Sequence, residues 1–167
     1  MFEYSILPRF TFVGDGREEA LNLADAGRRI QGIADMVAHC YKPEDPVGLI
    51  FKSGPEQVLA WLGAVLSGRT PCILQYPTAK LSHDYWRQSV RQTISICGLK
   101  GIIHGPDLVS HHPENISQCL LLDENPPSAP LRSDFPRTGS ILQLSSGTTG
   151  QKKGIRYSFH QLATHTE

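Results

Sequence analysis

Short apolar runs alternate with longer amphipathic stretches along most of this chain, and no other feature limits its possible folds as strongly. Four of the runs predict buried strands, at residues 47–51, 71–74, 101–104 and 118–122. Between them, apolar residues spaced three and four apart predict helices that begin after Asn22, after Ser53 and near residue 82. Strands that alternate with helices favour crossover connections between parallel strands. We therefore predict an α/β fold with a largely parallel sheet flanked by helices.

Capping residues mark the ends of two of these helices. Asn22 is followed three residues later by Asp25, and Ser53 is followed three residues later by Glu56, which is typical of a helix amino terminus. Gly68 follows the last apolar positions of the second helix, and glycine commonly ends helices because it adopts a left-handed conformation without strain. We expect Asn22 and Ser53 to be caps and Gly68 to end its helix.

Proline content divides the chain into three parts. Residues 1–122 are predicted to form an amino-terminal α/β subdomain that opens with a hairpin of strands 10–13 and 17–21. Residues 123–138 contain four prolines, a density that predicts a surface linker without regular structure. Residues 139–167 are predicted to form a second hairpin and the start of a helix.

Ten consecutive positions in this last part are rich in glycine, hydroxyl and lysine side chains: Ser145-Ser146-Gly147-Thr148-Thr149-Gly150-Gln151-Lys152-Lys153-Gly154. Glycines let backbone N–H groups turn toward one point, hydroxyls add hydrogen-bond donors, and lysines supply positive charge. The combination suits a polyphosphate such as the tail of ATP, although many Ser/Thr/Gly clusters are plain solvated loops. The residues predicted to bind the ATP phosphates are Ser145, Ser146, Gly147, Thr148, Thr149, Gly150, Lys153 and Gly154.

The residues on either side predict a β-hairpin that carries this phosphate loop. Ile141, Leu142 and Leu144 would anchor one strand, and residues 154–158 would return beside it. Lys153 is expected to place a point charge on the phosphates, in a charge-assisted hydrogen bond worth roughly 1.5 to 3 kcal/mol. A Walker loop is excluded, because that motif needs a Gly-Lys pair and this chain has none.

The ten-residue motif resembles the phosphate-binding signature of the adenylate-forming superfamily, which includes acyl- and aryl-CoA synthetases, fatty acyl-AMP ligases, luciferases and adenylation domains of nonribosomal peptide synthetases. That signature reads Ser/Thr-Ser/Thr-Gly-Ser/Thr-Thr-Gly-x-Pro-Lys-Gly, and Lys152 replaces its proline. The order of earlier segments is also similar, at residues 21–26 and 61–77. Phe159 stands where the superfamily usually has a histidine, and His160 follows it. We expect Phe159 to pack on the sheet and His160 to face solvent.

The resemblance implies a ligase that activates a carboxylic acid as an acyl-AMP with release of pyrophosphate. CoA or an acyl carrier protein would then supply the accepting thiol. ATP and Mg²⁺ are the implied cofactors, and both the Mg²⁺ ligands and the catalytic lysine are expected downstream of Glu167. The chain is therefore expected to be an amino-terminal portion, inactive alone and without a catalytic residue of its own. A non-catalytic fragment that binds phosphate or a partner protein is the alternative, and the identity of the acid stays open.

Charge and cysteine content narrow the range of partners. Sixteen basic and sixteen acidic residues give a formal net charge of zero without a long run of either sign, which disfavours nucleic-acid binding. The cysteines contain no C-x-x-C pair, so no metal site is predicted and buried reduced thiols are expected at Cys40, Cys72, Cys97 and Cys119. The sequence shows no signal peptide and no long apolar span, which predicts a cytoplasmic location and no membrane span.

Overall fold

The structure is a computed structural model, and it describes residues 11–14, 17–20, 23–111, 119–123, 128–130, 132, 139–145 and 153–164. These residues form a two-stranded sheet, a six-stranded sheet and four α-helices. In chain order the elements are β1 (Thr11–Gly14), β2 (Arg17–Ala20), α1 (Leu23–Cys40), β3 (Pro46–Ile50), α2 (Pro55–Leu66), β4 (Thr70–Ile73), α3 (His83–Cys97), β5 (Gly101–His104), a 3₁₀ helix (Pro106–His111), β6 (Cys119–Leu121), β7 (Ser140–Ser145), β8 (Lys153–Ser158) and α4 (Phe159–Thr164). The predicted α/β class is confirmed.

The six-stranded sheet has the order β6-β5-β3-β4-β7-β8. Its first five strands are parallel, and β8 is antiparallel to β7. The helices α2 and α3 connect β3 to β4 and β4 to β5, so each crossover returns the chain to the same edge of the sheet. The predicted strands agree with the observed ones to within one residue at most ends, because apolar runs between turn residues are a strong strand signal.

The helices α1 and α2 cover one face of the sheet. Alternate residues of β3, including Val47 and Leu49, point to this face and are fully buried in its core. The two helices pack closely at Gly63, where a Cβ atom would lie 2.5 Å from Cγ2 of Ile33. A larger side chain at position 63 would therefore push the helices apart.

The helix α3 covers the opposite face and builds a second core. Trp86 is fully buried there, and its Nε1 donates a hydrogen bond of 2.7 Å to the carbonyl of Gln75. Cys72 and Leu74 from the β4 segment belong to the same core, and Leu142 of β7 packs against it. The second core therefore ties α3 to the strand that leads into the predicted phosphate loop.

The ends of α2 differ in part from the capping prediction. The amino-terminal cap is Gly54, which makes no side-chain hydrogen bond, so the predicted Ser53 cap is wrong. Pro55 begins the helix, because its fixed φ angle suits the first helical position and it has no N–H to satisfy. At the other end Gly68 has φ +76°, the left-handed conformation expected of it. The predicted Asn22 cap lies outside the described residues.

The described part of the proline-rich segment crosses α1. The backbone N–H of Ala129 donates to the carbonyl of Arg28 at 3.1 Å, and the N–H of Arg132 donates to Oε1 of the buried Gln31 at 3.1 Å. The Arg132 guanidinium also lies 3.3 Å from the Asp35 carboxylate. Residues 128–130 and 132 have no regular secondary structure. The division into three parts stays a prediction.

The thiols are less uniformly buried than expected. Cys72 is fully buried, but Cys40 and Cys97 are half-buried and Cys119 is exposed. The exposure of Cys119 has a topological cause, because β6 is an edge strand of the sheet. All four thiols are free. Among the helices that the structure describes, none is long and apolar enough to cross a bilayer.

Candidate functional site

The two ends of the predicted phosphate loop face each other on the hairpin of β7 and β8. Ser145 is the last residue of β7 and Lys153 the first of β8, and the two are register partners. Gly154 is the next residue of β8 and pairs with Leu144. The loop tip lies outside the described residues, and with it five of the predicted phosphate-binding residues: Ser146, Gly147, Thr148, Thr149 and Gly150.

The hairpin opens at the carboxyl edge of the parallel sheet. Because β7 runs parallel to β4, Ser145 lies at the same edge as the carboxyl ends of β3, β4 and β5. Open α/β sheets bind their ligands in the crevice outside the carboxyl ends of their strands. Lys153 is exposed, so its ammonium group is accessible to a ligand. The described part of the motif is thus placed where a nucleotide phosphate could reach it.

Polar and apolar contacts fix β7 on β4. At the amino-terminal end of the strand pair, the Thr70 and Ser140 hydroxyls form a buried hydrogen bond of 2.8 Å. Further along, Leu142 and Leu144 pack against the second core beneath α3. Contacts at Ser140, Leu142 and Leu144 therefore anchor the strand that leads into the predicted phosphate loop, and the anchoring roles predicted for Leu142 and Leu144 are confirmed.

Close packing at Gly154 fixes β8 against the end of α3. A Cβ atom at this position would lie 2.7 Å from Sγ of Cys97, the last residue of α3, and 3.7 Å from Cδ2 of Leu142. Any side chain larger than hydrogen would force the thiol or the strand to move. Gly154, the motif glycine next to Lys153, therefore has a packing role that does not depend on what the loop tip binds.

A second glycine contact closes the base of the hairpin. The Phe159 ring packs on Gly139, where a Cβ atom would lie 2.3 Å from Cε2 of the ring. The Phe159 N–H also donates to the Gly139 carbonyl at 2.9 Å. His160, the next residue, is exposed. Phe159 is thus a packing residue and His160 faces solvent, as the sequence predicted.

A cavity of about 330 Å³ lies at the same carboxyl edge, between the segments that follow β3, β4 and β5. Apolar side chains line part of it, among them Ile33, Phe51 and Leu122. Charged and polar side chains also line it: Arg29, Lys52, Glu56, Tyr76, Asp107 and Asp123. The cavity therefore combines an apolar wall with groups of both charges.

Lys52 connects two sides of this cavity. Its Nζ lies 2.7 Å from Oδ2 of Asp107 and 5.9 Å from the centre of the Tyr76 ring. The hydrogen bond to Asp107 and its negative charge raise the pKa of Lys52. Sequence reasoning missed these three residues, although each follows a parallel strand directly or within three positions. That position was the available signal, because residues after parallel strands meet at one edge.

The described residues contain no group of three or more His, Cys, Asp or Glu side chains arranged to hold a metal ion. Mg²⁺ at nucleotide sites is held mainly by phosphate oxygens, waters and one or two carboxylates, so such a group is not required. Ser145 and Lys153 offer no carboxylate. The Ser145 hydroxyl and the Lys153 ammonium group could donate hydrogen bonds to phosphate oxygens, whereas any Mg²⁺ ligands would be other residues.

The fold can be compared with those of known proteins. A scan against protein-family models finds no match. The fold matches a fatty acyl-adenylate ligase from L. pneumophila in complex with acyl adenylate and pyrophosphate, with TM-score 0.71, 21% identity, and coverage of 93% of this chain and 28% of that chain. It also matches McyG A-PCP complexed with phenylalanyl-adenylate, with TM-score 0.72, 17% identity, and coverage of 93% and 26%. Both were solved with an adenylate bound, and the expected α/β architecture is the fold that they share with this chain.

The sequence itself is similar to the long-chain-fatty-acid–AMP ligase FadD28 of Mycobacterium tuberculosis. The identity is 25% over 174 residues, which cover 96% of this chain and 30% of that protein. The chain thus spans less than a third of the length of the curated relatives it matches. Together the sequence and structural relatives support the resemblance to the adenylate-forming superfamily.

Proposed function

We propose that this chain is the amino-terminal portion of an AMP-forming carboxylic acid ligase and carries the loop that holds the ATP phosphates. One observation carries the proposal: Ser145 and Lys153, the two ends of the described motif, face each other across a hairpin at the carboxyl edge of the sheet. The similarity in fold to a ligase bound to acyl adenylate and pyrophosphate supports it, because both molecules contain phosphate derived from a nucleotide.

The chemistry would place charge where this hairpin can stabilise it. A carboxylate attacks the α-phosphorus of ATP, the bond to the β-phosphate oxygen breaks, and pyrophosphate leaves with the negative charge that develops. A lysine and backbone N–H groups fixed on a rigid strand pair stabilise that charge without reorganising. Mg²⁺ would neutralise further charge on the phosphates when bound. Lys153 and Ser145 would contribute orientation and charge, not proton transfer.

We infer the substrate class from the curated relatives. The similarity to a long-chain-fatty-acid–AMP ligase supports a fatty acid as the carboxylic acid. The final acceptor would be a thiol of CoA or of an acyl carrier protein, as the superfamily resemblance implies. The residues that select the acid or the thiol would lie in the rest of the longer enzyme.

The test compares two exposed lysines at opposite edges of the sheet. Lys153 lies at the carboxyl edge, whereas Lys100 immediately precedes β5 at the amino edge. Lys153→Ala is expected to weaken acid-dependent exchange of pyrophosphate into ATP by the longer polypeptide at least tenfold, the factor that about 1.4 kcal/mol gives. Lys100→Ala removes an equal charge away from the loop and should leave the exchange unchanged.

A second measurement separates binding from chemistry. ATP titrated into the same variants should show a dissociation constant raised about tenfold by Lys153→Ala and not by Lys100→Ala. Equal effects of the two substitutions would indicate a general loss of positive charge and would refute the assignment of Lys153. A polypeptide that exchanges no pyrophosphate with any fatty acid would refute the proposed reaction.

A further inference from the structure

The sheet face that α1 and α2 cover continues onto β4, β7 and β8. Leu49 of β3 lies in the core beneath the two helices, and its register partner on β4 is Ile73. The next residues in the same row are the exposed Gln143 of β7 and its partner Ile155 of β8. Register partners point to the same face of a sheet. One row of side chains therefore runs from beneath the helices to the edge strand β8.

This row loses its cover beyond β3. Leu49 is fully buried, whereas Ile73 is 47% exposed and Ile155 is 39% exposed. On the same face, Ile141 of β7 and Tyr157 of β8 form another register pair and are half-buried. We call the side chains of Ile73, Ile141, Ile155 and Tyr157 the open face. It is an apolar continuation of a surface that is elsewhere packed under helices.

The opposite side of the same strands shows what normal cover is. There Cys72, Leu142 and Leu144 face the core beneath α3. Parallel strands of α/β proteins are usually covered on both faces by helices. Single exposed apolar residues are common, but neighbouring ones on a single face mark a contact surface. The open face thus fits a further helix that would extend the layer formed by α1 and α2.

We propose that the open face is covered by the apolar side of a helix from the part of the longer ligase that follows residue 164. The inference rests on the proposed function, which makes this chain the amino-terminal portion of that enzyme. The matched region is 30% of the length of the curated relative, so most of such a polypeptide lies outside this chain. The helix α4 begins directly after β8, so the following chain starts next to the strand that lacks cover.

The open face adjoins the predicted phosphate site but does not include it. Ser145 and Lys153 pair with each other two residues beyond Gln143 and Ile155. Side chains two residues apart on a strand share a face, so Ser145 and Lys153 lie at the rim of the open face. Substitutions within the open face therefore leave both ends of the phosphate motif in place.

Cysteine accessibility tests whether the face is covered. Ile155→Cys and Ile73→Cys are made singly in the longer polypeptide, and maleimide labelling of each introduced thiol is followed by peptide mass spectrometry. Ile96→Cys is the matched control, because Ile96 is 45% exposed and lies on α3, across the sheet. In the longer polypeptide we expect labelling at positions 155 and 73 to be about tenfold slower than at position 96, or slower still. In the 167-residue chain the three rates should be similar.

The outcomes separate this proposal from the proposed reaction. Similar rates at all three positions of the longer polypeptide would overturn the proposal. Slow labelling at positions 155 and 73 of the 167-residue chain that becomes faster on dilution would show that a second copy covers the face, and would overturn it too. Labelling needs neither ATP nor a carboxylic acid. A longer polypeptide that protects both positions but exchanges no pyrophosphate would therefore support the contact and refute only the reaction.

Photo-crosslinking identifies the segment that covers the face. A benzophenone amino acid replaces Ile155 in the longer polypeptide, and the peptides joined by irradiation are mapped by mass spectrometry. We expect a crosslink within one molecule to a peptide that follows residue 164. Crosslinks confined to α1 and α2, or crosslinks between two molecules, would overturn the assignment of the covering segment.

Discussion

The contact between Gly154 and Cys97 predicts that the effect of Gly154→Ala on stability depends on the residue at position 97. In Gly154→Ala the new Cβ would lie 2.7 Å from the Cys97 sulfur, whereas ordinary contacts begin at 3.4 Å. Relieving such overpacking typically costs 1–3 kcal/mol, and the low end, about 1–2 kcal/mol, applies where a terminal sulfur can rotate away. Replacing glycine also restricts the unfolded chain, which stabilises the folded protein by about 0.4–1 kcal/mol. Gly154→Ala should therefore destabilise the protein by about 1 kcal/mol.

Removing the Cys97 sulfur should remove the unfavourable overpacking energy of Gly154→Ala. In a Cys97→Ala background the Cβ at position 154 meets no atom closer than Leu142, at 3.7 Å. Gly154→Ala should then be neutral or stabilise by up to about 1 kcal/mol, which gives a coupling of about 1–2 kcal/mol between the two positions. Urea unfolding of the four variants measures this, with fluorescence of the buried Trp86 as the probe.

A matched glycine checks that the effect is local. A Cβ at Gly54 would approach only Oε2 of Glu56, at 3.5 Å, so Gly54→Ala should have the same small effect with and without Cys97→Ala. If Gly154→Ala costs the same in both backgrounds, the sulfur is not what fills the space next to Gly154. The account of how β8 is held against α3 would then be refuted.

Three further predictions concern other described groups. Arg69 is buried and donates hydrogen bonds to the carbonyls of Ala38, Tyr41 and Ser67 at the helix ends. Arg69→Met should therefore destabilise the protein by about 2 kcal/mol and lower Tm by about 4–8 °C. Arg156→Met on the surface should leave Tm unchanged, and equal shifts in the two variants would contradict the prediction. Burial raises the pKa of Cys72 to about 12, so the unfolded chain ionises this thiol first and stability falls as pH rises above about 9. The fall in the urea midpoint from about pH 8 to pH 10 should be smaller in Cys72→Ala than in the parent protein, and an identical fall would exclude this thiol as the cause. Lys52→Met should leave Tm unchanged in calorimetry, because its ion pair with Asp107 is exposed to solvent; a clear loss would show that the pair is structural.

The sequence predicted the sheet well because its signals are local. Apolar runs bounded by turn residues placed β3, β4 and β5 nearly at their observed ends, and residues 154–158 returned as a strand beside β7. The Ser53 cap failed because two local signals overlapped: Pro55 favours the first helical position, which makes Gly54 the cap. Local sequence rules do not reliably choose between two adjacent candidate caps, since the difference in their capping energies is small.

The features that sequence reasoning missed arise from contacts between distant residues. Lys52 and Asp107 form their ion pair only because β3 and β5 are neighbours in the sheet, and nothing in either segment alone indicates the other. The difference in burial between Cys72 and Cys119 follows from the positions of their strands, one interior and one at the edge. The ends of the phosphate motif were predicted and are observed as register partners, whereas the roles of Ser146, Gly147, Thr148, Thr149 and Gly150 stay predictions.

The strand order also bears on how the chain folds during synthesis. The ribosome makes β7 after every other parallel strand, yet β7 pairs with β4, as the contact between Thr70 and Ser140 across 70 positions shows. Until then the free side of β4 exposes unpaired backbone groups, which are a template for association with other chains. We expect nascent or truncated chains that end before residue 140 to aggregate more readily than chains that include the final hairpin, which acts as a protective cover for that strand.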